Sequence, residues 1–216
     1  MALAYYIQTT RQEQRLQIVQ NQKLESDLKY LKAQMEPHFF FNTLNNLYSL
    51  ALQGSSETAP SIARLSDLMR YVIYETKNDW VALEKEIDFI KNYIAVHSIR
   101  YRTSIDIRFE VQNLPKGYFI QPILLLPFFE NAFKHGVEDE MGKGFLHGAI
   151  DVQNDCLYLE LRNSMPANIK KSINEEGIGL DNTRKKLDLL YPGQFDLKTE
   201  CKENTYFISL KLILGT

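Results

Sequence analysis

Residues 104–111, SIDIRFEV, are where the chain changes its period. Ile105, Ile107, Phe109 and Val111 alternate with Asp106, Arg108 and Glu110, the pattern of a strand with one buried face. Upstream, apolar residues recur at helical spacing. Downstream, the patterns read as a helix from about Pro122 to His135, strands near 145–152 and 155–162, a helix over 180–191, and strands near 194–201 and 204–213. The expected fold is therefore α+β: a helical domain over residues 1–102, then a mixed sheet with helices on one face over residues 103–216.

The helical part has its own punctuation. Leu24, Leu28, Leu31 and Met35 are spaced alternately by four and three, the heptad seam of a coiled coil. The polar stretch 8–35 that carries them forms either a dimeric coil or one long exposed helix. Pro37 then interrupts it, a residue that costs about 3 kcal/mol inside a helix. Beyond it, in QMEPHFFFNTLNN (34–46) and onward, Phe40, Leu44, Leu47, Tyr48 and Ala51 take up a new apolar phase. At about 100° per residue, His38 falls opposite Phe40 and Leu47 and in line with Asn42, Asn45 and Ser49, which makes it an exposed imidazole among amides. After the turn QGSSETAP (53–60), a second helix from about Ser61 to Thr76 carries Ile62, Leu65, Met69, Val72 and Ile73 on one face. A third, from about Leu83 to Tyr101, is carried by Leu83, Ile87, Ile90, Ile94 and Ile99, so the helical domain has an antiparallel hairpin at its core.

Composition narrows the function classes. A chain of 216 residues with 44% hydrophobic and 24% charged residues is of the soluble globular class. Its formal net charge of -2 excludes the strongly basic footprint of a nucleic-acid binder, so no nucleic-acid partner is expected. Cys156 and Cys201 are too few for a disulfide framework or a zinc motif, and are expected as buried free thiols in a reducing compartment. No run approaches the roughly 18 apolar residues of a membrane span. MALAYYI (1–7) is either a frayed helix end or the tail of a transmembrane helix.

Three stretches could carry chemistry. In ENAFKHG (130–136), Asn131, Lys134 and His135 sit at i, i+3 and i+4 of a helix. An amide oxygen there can ligate Mg²⁺ while the cations meet phosphate oxygens; the plainer reading is a helix ending at Gly136 with ordinary C-terminal cations. Gly177-x-Gly179 before the helix at 180–191 either lets backbone N–H groups approach phosphates or simply makes a tight turn. His38 is either a structural histidine or a nucleophile. No Ser/His/Asp or Cys/His arrangement is present at recognisable spacing.

Taken jointly and in order, LKAQMEPHFFFNTLNNL, LLLPFFENAFKHG and GIGLDNTRKKLDLLYPG resemble the phosphoacceptor, N and glycine boxes of the LytS/YehU-type sensor histidine kinases. The likeness spans about residues 20–215, and WVALEKEIDFIKNYIAVHSIRYR resembles the segment joining the boxes. The resemblance implies a dimerising helical domain, coiled coil and hairpin, followed by a Bergerat (GHKL) ATP-binding α/β sandwich. It also implies a homodimer on the cytoplasmic face of the inner membrane, attached through a segment missing from this chain. By that match His38, with Asn42 beside it, accepts the γ-phosphate of ATP and passes it to an aspartate of a response regulator. Asn131 holds Mg²⁺, Lys134 and His135 face the phosphates, and the backbone of Gly177 and Gly179 bounds the pocket.

Three positions depart from the family pattern. Glu36 stands where many members have Asn, and either orients His38 or faces solvent. Asn163, in LELRNSMP, stands where the broader fold has the adenine-binding Asp of a D-x-G turn; its oxygen can accept from the adenine amino group without a charge. Residues 165–176 leave only a short lid. Two other functions compete. One is a kinase-like dimeric relay without catalysis, which the Asn163 substitution favours. The other is a Bergerat-fold ATPase, disfavoured because Pro127 occupies the position of the water-activating Glu.

Overall fold

The computed structural model describes residues 37–99, 105–136, 144–165 and 178–215, with backbone alone for Pro37, His38, His135, Gly136, Ile178 and Gly179. All of these fall within one compact unit, Pro37–Thr216. The heptad stretch, Glu36, Gly177, the lid and the expected domain boundary near 103 lie outside the described residues.

Three helices come first: α1 (Pro37–Leu52), α2 (Thr58–Tyr74) and α3 (Leu83–Ser98). Their boundaries match expectation within a few residues, but the faces of α1 and α2 do not. On α1 the buried line is Phe39, Thr43, Leu47 and Leu50, with Phe40 half-buried; Leu44, Tyr48 and Ala51 are exposed. On α2 it is Ser61, Leu65, Leu68 and Tyr71, while Ile62, Met69 and Ile73 are exposed. The expected faces were about one residue, or 100°, out of phase. Both helices are apolar on two sides, and periodicity alone does not say which side meets the rest of the subunit. On α3 the inward residues Leu83, Ile87, Ile90 and Ile94 are buried as expected, with Phe89, Tyr93 and Val96 beside them.

A five-stranded mixed sheet follows, in the order β2 (Asp106–Gln112), β4 (Phe145–Gln153), β5 (Cys156–Ser164), β7 (Thr205–Ile213), β6 (Phe195–Lys202). β2 runs parallel to β4 and the other neighbours are antiparallel. The β4–β5 hairpin turns at Asn154 and Asp155, both at positive φ (50° and 59°), as a two-residue type I′ turn requires. One face is apolar: Leu146, Ile150, Leu157, Leu159, Leu161, Ile208, Leu210 and Leu212 are buried. Helix α4 (Leu126–Gly136) packs on β4 and β5, and α5 (Ile178–Leu190) lies beside α4. Phe128, Phe129, Ala132 and Phe133 form the buried side of α4. The opposite sheet face, with Tyr158, Glu160 and Arg162, is open. A layer of helices on one face of a mixed sheet is the α+β arrangement that the alternation of periods predicts.

A two-residue pairing not visible in the sequence ties the helices to the sheet domain. β1 (Val81–Ala82) pairs antiparallel with β3 (Phe119–Ile120), and the Leu83 amide donates to the Tyr118 carbonyl at 2.9 Å. Cys156 and Cys201 are free thiols, as expected, but half-buried rather than buried. Among the described residues no helix is long and apolar enough to cross a membrane, and no group of His, Cys, Asp or Glu is arranged to hold a metal ion.

Candidate functional site

The expected site residues divide between two regions. The backbone of His38 is in the first turn of α1; Asn42, half-buried, and Asn45 and Ser49, both exposed, follow on that helix. The Ser49 hydroxyl donates back to the Asn45 carbonyl at 3.1 Å, a local bond that leaves the helix intact.

The second region is built on α4, β5 and α5. Asn131 is half-buried and Lys134 exposed, one turn apart on α4, with the His135 backbone next in the same helix. Gly179 lies in the first turn of α5, where backbone N–H groups lack helical partners. Asn163 closes the arrangement on β5, the strand against which α4 packs, with its side chain on the apolar face shared by Leu159 and Leu161. It is fully buried. Its Nδ2 donates to the Ser164 carbonyl at 2.9 Å, which fixes the amide orientation and leaves Oδ1 buried with no hydrogen-bond partner. An orphaned buried acceptor costs about 1–3 kcal/mol, and water or a ligand bringing a donor would satisfy it. An exocyclic amine supplies one. The donor set suits a Mg²⁺-nucleotide: an amide oxygen and an ammonium on α4, backbone N–H groups in the first turn of α5, and an acceptor for the base.

Sequence reasoning missed the groups that join the regions. The imidazole of His97, on α3, stacks between two phenylalanines. Phe39, next in sequence to His38, lies at 5.0 Å between centroids and 17° between planes; Phe133, on α4, lies at 4.4 Å and 26°. Tyr93 packs against the same ring at 4.6 Å. Offset aromatic contacts of this kind contribute about 0.5–1.5 kcal/mol each beyond their buried area. The start of α1 is thus packed through one ring onto the helix that carries Asn131 and Lys134.

Glu86 was also missed. It is fully buried on α3 and accepts hydrogen bonds from the Ile123 amide at 2.9 Å, the Leu125 amide at 3.0 Å and the Tyr71 hydroxyl. Burial pushes its carboxyl above the usual range, against the pull of these hydrogen bonds and of the Lys186 charge. Burial, followed by the neighbouring Glu86, pushes the Tyr71 phenol up as well. A signal was available: Glu86 falls at i+3 from Leu83 and beside Ile87, inside the apolar stripe, where a charge is out of place unless paired.

Comparison with known proteins bears on both regions. Residues 26–105 match the histidine kinase family model. The chain is 24% identical over 140 residues to the sensor protein LytS of Staphylococcus epidermidis, covering 65% of this chain and 24% of that protein. It is 24% identical over 190 residues to the sensor histidine kinase BtsS of Escherichia coli, covering 87% of this chain and 33% of BtsS. It is 25% identical over 178 residues to the sensor histidine kinase YesM of Bacillus subtilis, covering 81% of this chain and 31% of YesM. The chain thus spans about a quarter to a third of the length of these curated relatives. The chain is thus similar to the histidine kinase family over its helical region and to the sensor kinases LytS, BtsS and YesM over most of its length.

Proposed function

We propose that this chain is the kinase portion of a two-component sensor, which phosphorylates itself on His38 from ATP and passes the phosphoryl group to an aspartate of a response regulator. The observation that carries the nucleotide half is the unpartnered Oδ1 of Asn163, buried on the strand under the helix of Asn131 and Lys134. ATP supplies the phosphoryl group, with Mg²⁺ neutralising charge on its phosphates. Asn131 would hold the metal, Lys134 and His135 would meet phosphate oxygens, Gly177 and Gly179 would offer backbone N–H groups, and Asn163 would accept from the adenine amine. A Bergerat sandwich over residues 103–216 gives these roles their setting, with residues 1–102 as the phosphoacceptor and dimerisation domain. His38 needs only an unprotonated imidazole nitrogen, which an ordinary pKa of about 6.5 provides at neutral pH. Asn42, one turn along α1, would orient it, and Glu36 is a second candidate for that role.

Homodimerisation is supported by the unused apolar sides of the hairpin. Phe41, Leu44, Tyr48 and Leu52 recur at helical spacing on α1 with exposures of 52–71%, and Ile62, Met69 and Ile73 do so on α2. Two such stripes on adjacent helices suit a four-helix bundle with a second copy. In the cell the chain would work at the cytoplasmic face of the inner membrane, joined to a sensor segment.

Incubation with γ-labelled ATP and Mg²⁺ tests the reading. Acid-labile, base-stable label should appear and be lost in His38→Gln. Label that survives the substitution would sink the assignment of His38. ATP binding with no label would favour a non-catalytic relay, and phosphate release without a phosphoenzyme would favour an ATPase.

A further inference from the structure

The segment that leads into α4 is held by buried polar groups from three helices. Both carboxylate oxygens of Glu86 are used: Oε1 accepts from the Leu125 amide at 3.0 Å, and Oε2 from the Ile123 amide at 2.9 Å and from the Tyr71 hydroxyl of α2. From the other side, the Lys186 ammonium of α5 donates to the Pro122 carbonyl at 3.3 Å, and the Gln121 amide donates to the Tyr191 hydroxyl at 3.0 Å. Glu86, Lys186, Gln121 and Tyr191 are all buried. Between these anchors Ile123 takes a φ of 57°, a left-handed conformation rare for a β-branched residue and held only where the surroundings over-determine it.

Backbone amides can only donate, so this loop requires two acceptors on one side chain. A glutamine would offer one acceptor and one donor, and would set N–H against N–H at Ile123 or Leu125. An apolar residue with an ordinary helix cap would satisfy α4 without burying a charge, so stability alone is a poor reason for the arrangement. Its distinguishing property is connectivity, since a single carboxylate touches the hairpin through Tyr71 and the entry to α4 through two amides.

We infer that Glu86 is a positioning residue for nucleotide binding: it sets the entry of the helix that carries Asn131 and Lys134, and through Tyr71 makes that setting depend on the helical hairpin. The purpose of the clamp rests on the kinase reading; the clamp itself rests on the hydrogen bonds. Coupling of this kind is reciprocal, so nucleotide bound at α4 must be felt in α2.

Amide hydrogen exchange by mass spectrometry on the whole chain tests it, with trinitrophenyl-ATP fluorescence for binding. Without nucleotide, Glu86→Gln should speed exchange in peptides covering residues 120–134 by about tenfold, the effect of a buried donor left unpaired, while strands β5 and β7 keep their protection. The same variant should bind the Mg²⁺ complex of the analogue about tenfold more weakly. In the unsubstituted chain, saturating analogue should slow exchange in residues 65–74, and Tyr71→Phe, also at saturation, should lose that response. Unchanged exchange in α4 of Glu86→Gln, or an unaltered response of residues 65–74 in Tyr71→Phe, would overturn the inference. Should Glu86→Gln fail to fold, the Tyr71→Phe comparison decides. An unsubstituted chain that binds no nucleotide defeats the kinase reading instead, and the nucleotide-free exchange still decides the clamp.

Discussion

Replacing Asn163 with leucine should separate what this residue does for the fold from what it does for the ligand. Leucine has nearly the same size and removes both amide groups from a fully buried position. The lost Nδ2 bond to the Ser164 carbonyl, at 2.9 Å, is worth about 0.5–1.5 kcal/mol. Against it stands the orphaned Oδ1, whose burial costs about 1–3 kcal/mol that leucine does not incur. The balance favours the variant by about 1 kcal/mol, a rise in Tm of about 2–4 °C for a chain of this size. Nucleotide binding should move the other way. Loss of a buried hydrogen bond to the adenine amine, at about 1–3 kcal/mol, weakens ATP about 5- to 150-fold. Differential scanning fluorimetry and titration with a fluorescent ATP analogue read the two effects on one preparation. A stabler protein with weaker binding is the trade-off expected where a residue is kept for function. A fall in Tm of more than about 5 °C with unchanged affinity would show that Asn163 is structural and would remove the main support for the nucleotide site.

Other perturbations probe the surrounding structure. Gly148→Ala would set a Cβ 2.7 Å from Leu161 Cδ2 and 3.1 Å from Phe109 Cδ2. Leu161 is fully buried and Phe109 packs edge-on against Phe129 of α4 at 5.3 Å, so denaturant titration should show a loss of about 1–3 kcal/mol. Leu44→Glu combined with Ile73→Glu puts charge into the exposed stripes; light scattering should report a monomer of unchanged helicity, and a persisting dimer would refute the interface. Tyr191→Phe leaves the buried Gln121 amide without its acceptor, at a cost of about 1–3 kcal/mol by the same titration. Burial pushes the Tyr191 phenol up to about 12 from its ordinary 10.0. Because the folded value lies above the unfolded one, its contribution is intact below pH 10 and is lost between pH 10 and about 12. Unfolding curves across that range should be flatter in the phenylalanine variant.

Much of the molecule was legible because its patterns have only one reading. Strict alternation in Asp106–Gln112 and in Phe195–Lys202 allows one inward face, and a strand so marked has no second phase to choose. The end of α4 at Gly136 and the span of α5 were legible, but α4 starts at Leu126 rather than near Pro122, because the Ile123 and Leu125 amides bond to Glu86 and Ile123 takes a left-handed φ. The hairpin helices were less legible for a physical reason. Phe39, Phe40 and Phe41 cover 200° of the helix, and α2 is apolar both at Leu65, Leu68 and Tyr71 and at Ile62, Met69 and Ile73. One side packs within the subunit and the other is exposed, and a hydrophobic period carries no label for which is which.

The sequence by itself determined the order of elements, the α+β class and the short boxes that resemble those of histidine kinases, since local spacing and side-chain chemistry suffice for those. Only the tertiary structure decided which helix faces are inside, that Asn163 carries an unpartnered acceptor, and that His97 stacks between Phe39 and Phe133. Glu86 shows the reason most clearly. In VALEKEID (81–88) its place in the apolar stripe calls for a partner without saying which. It becomes the hub of a buried network because the hydroxyl of Tyr71 and the amides of Ile123 and Leu125, 15 to 39 residues away along the chain, converge on it. Hydrogen bonds of that range depend on how the chain folds back, and no local pattern encodes them.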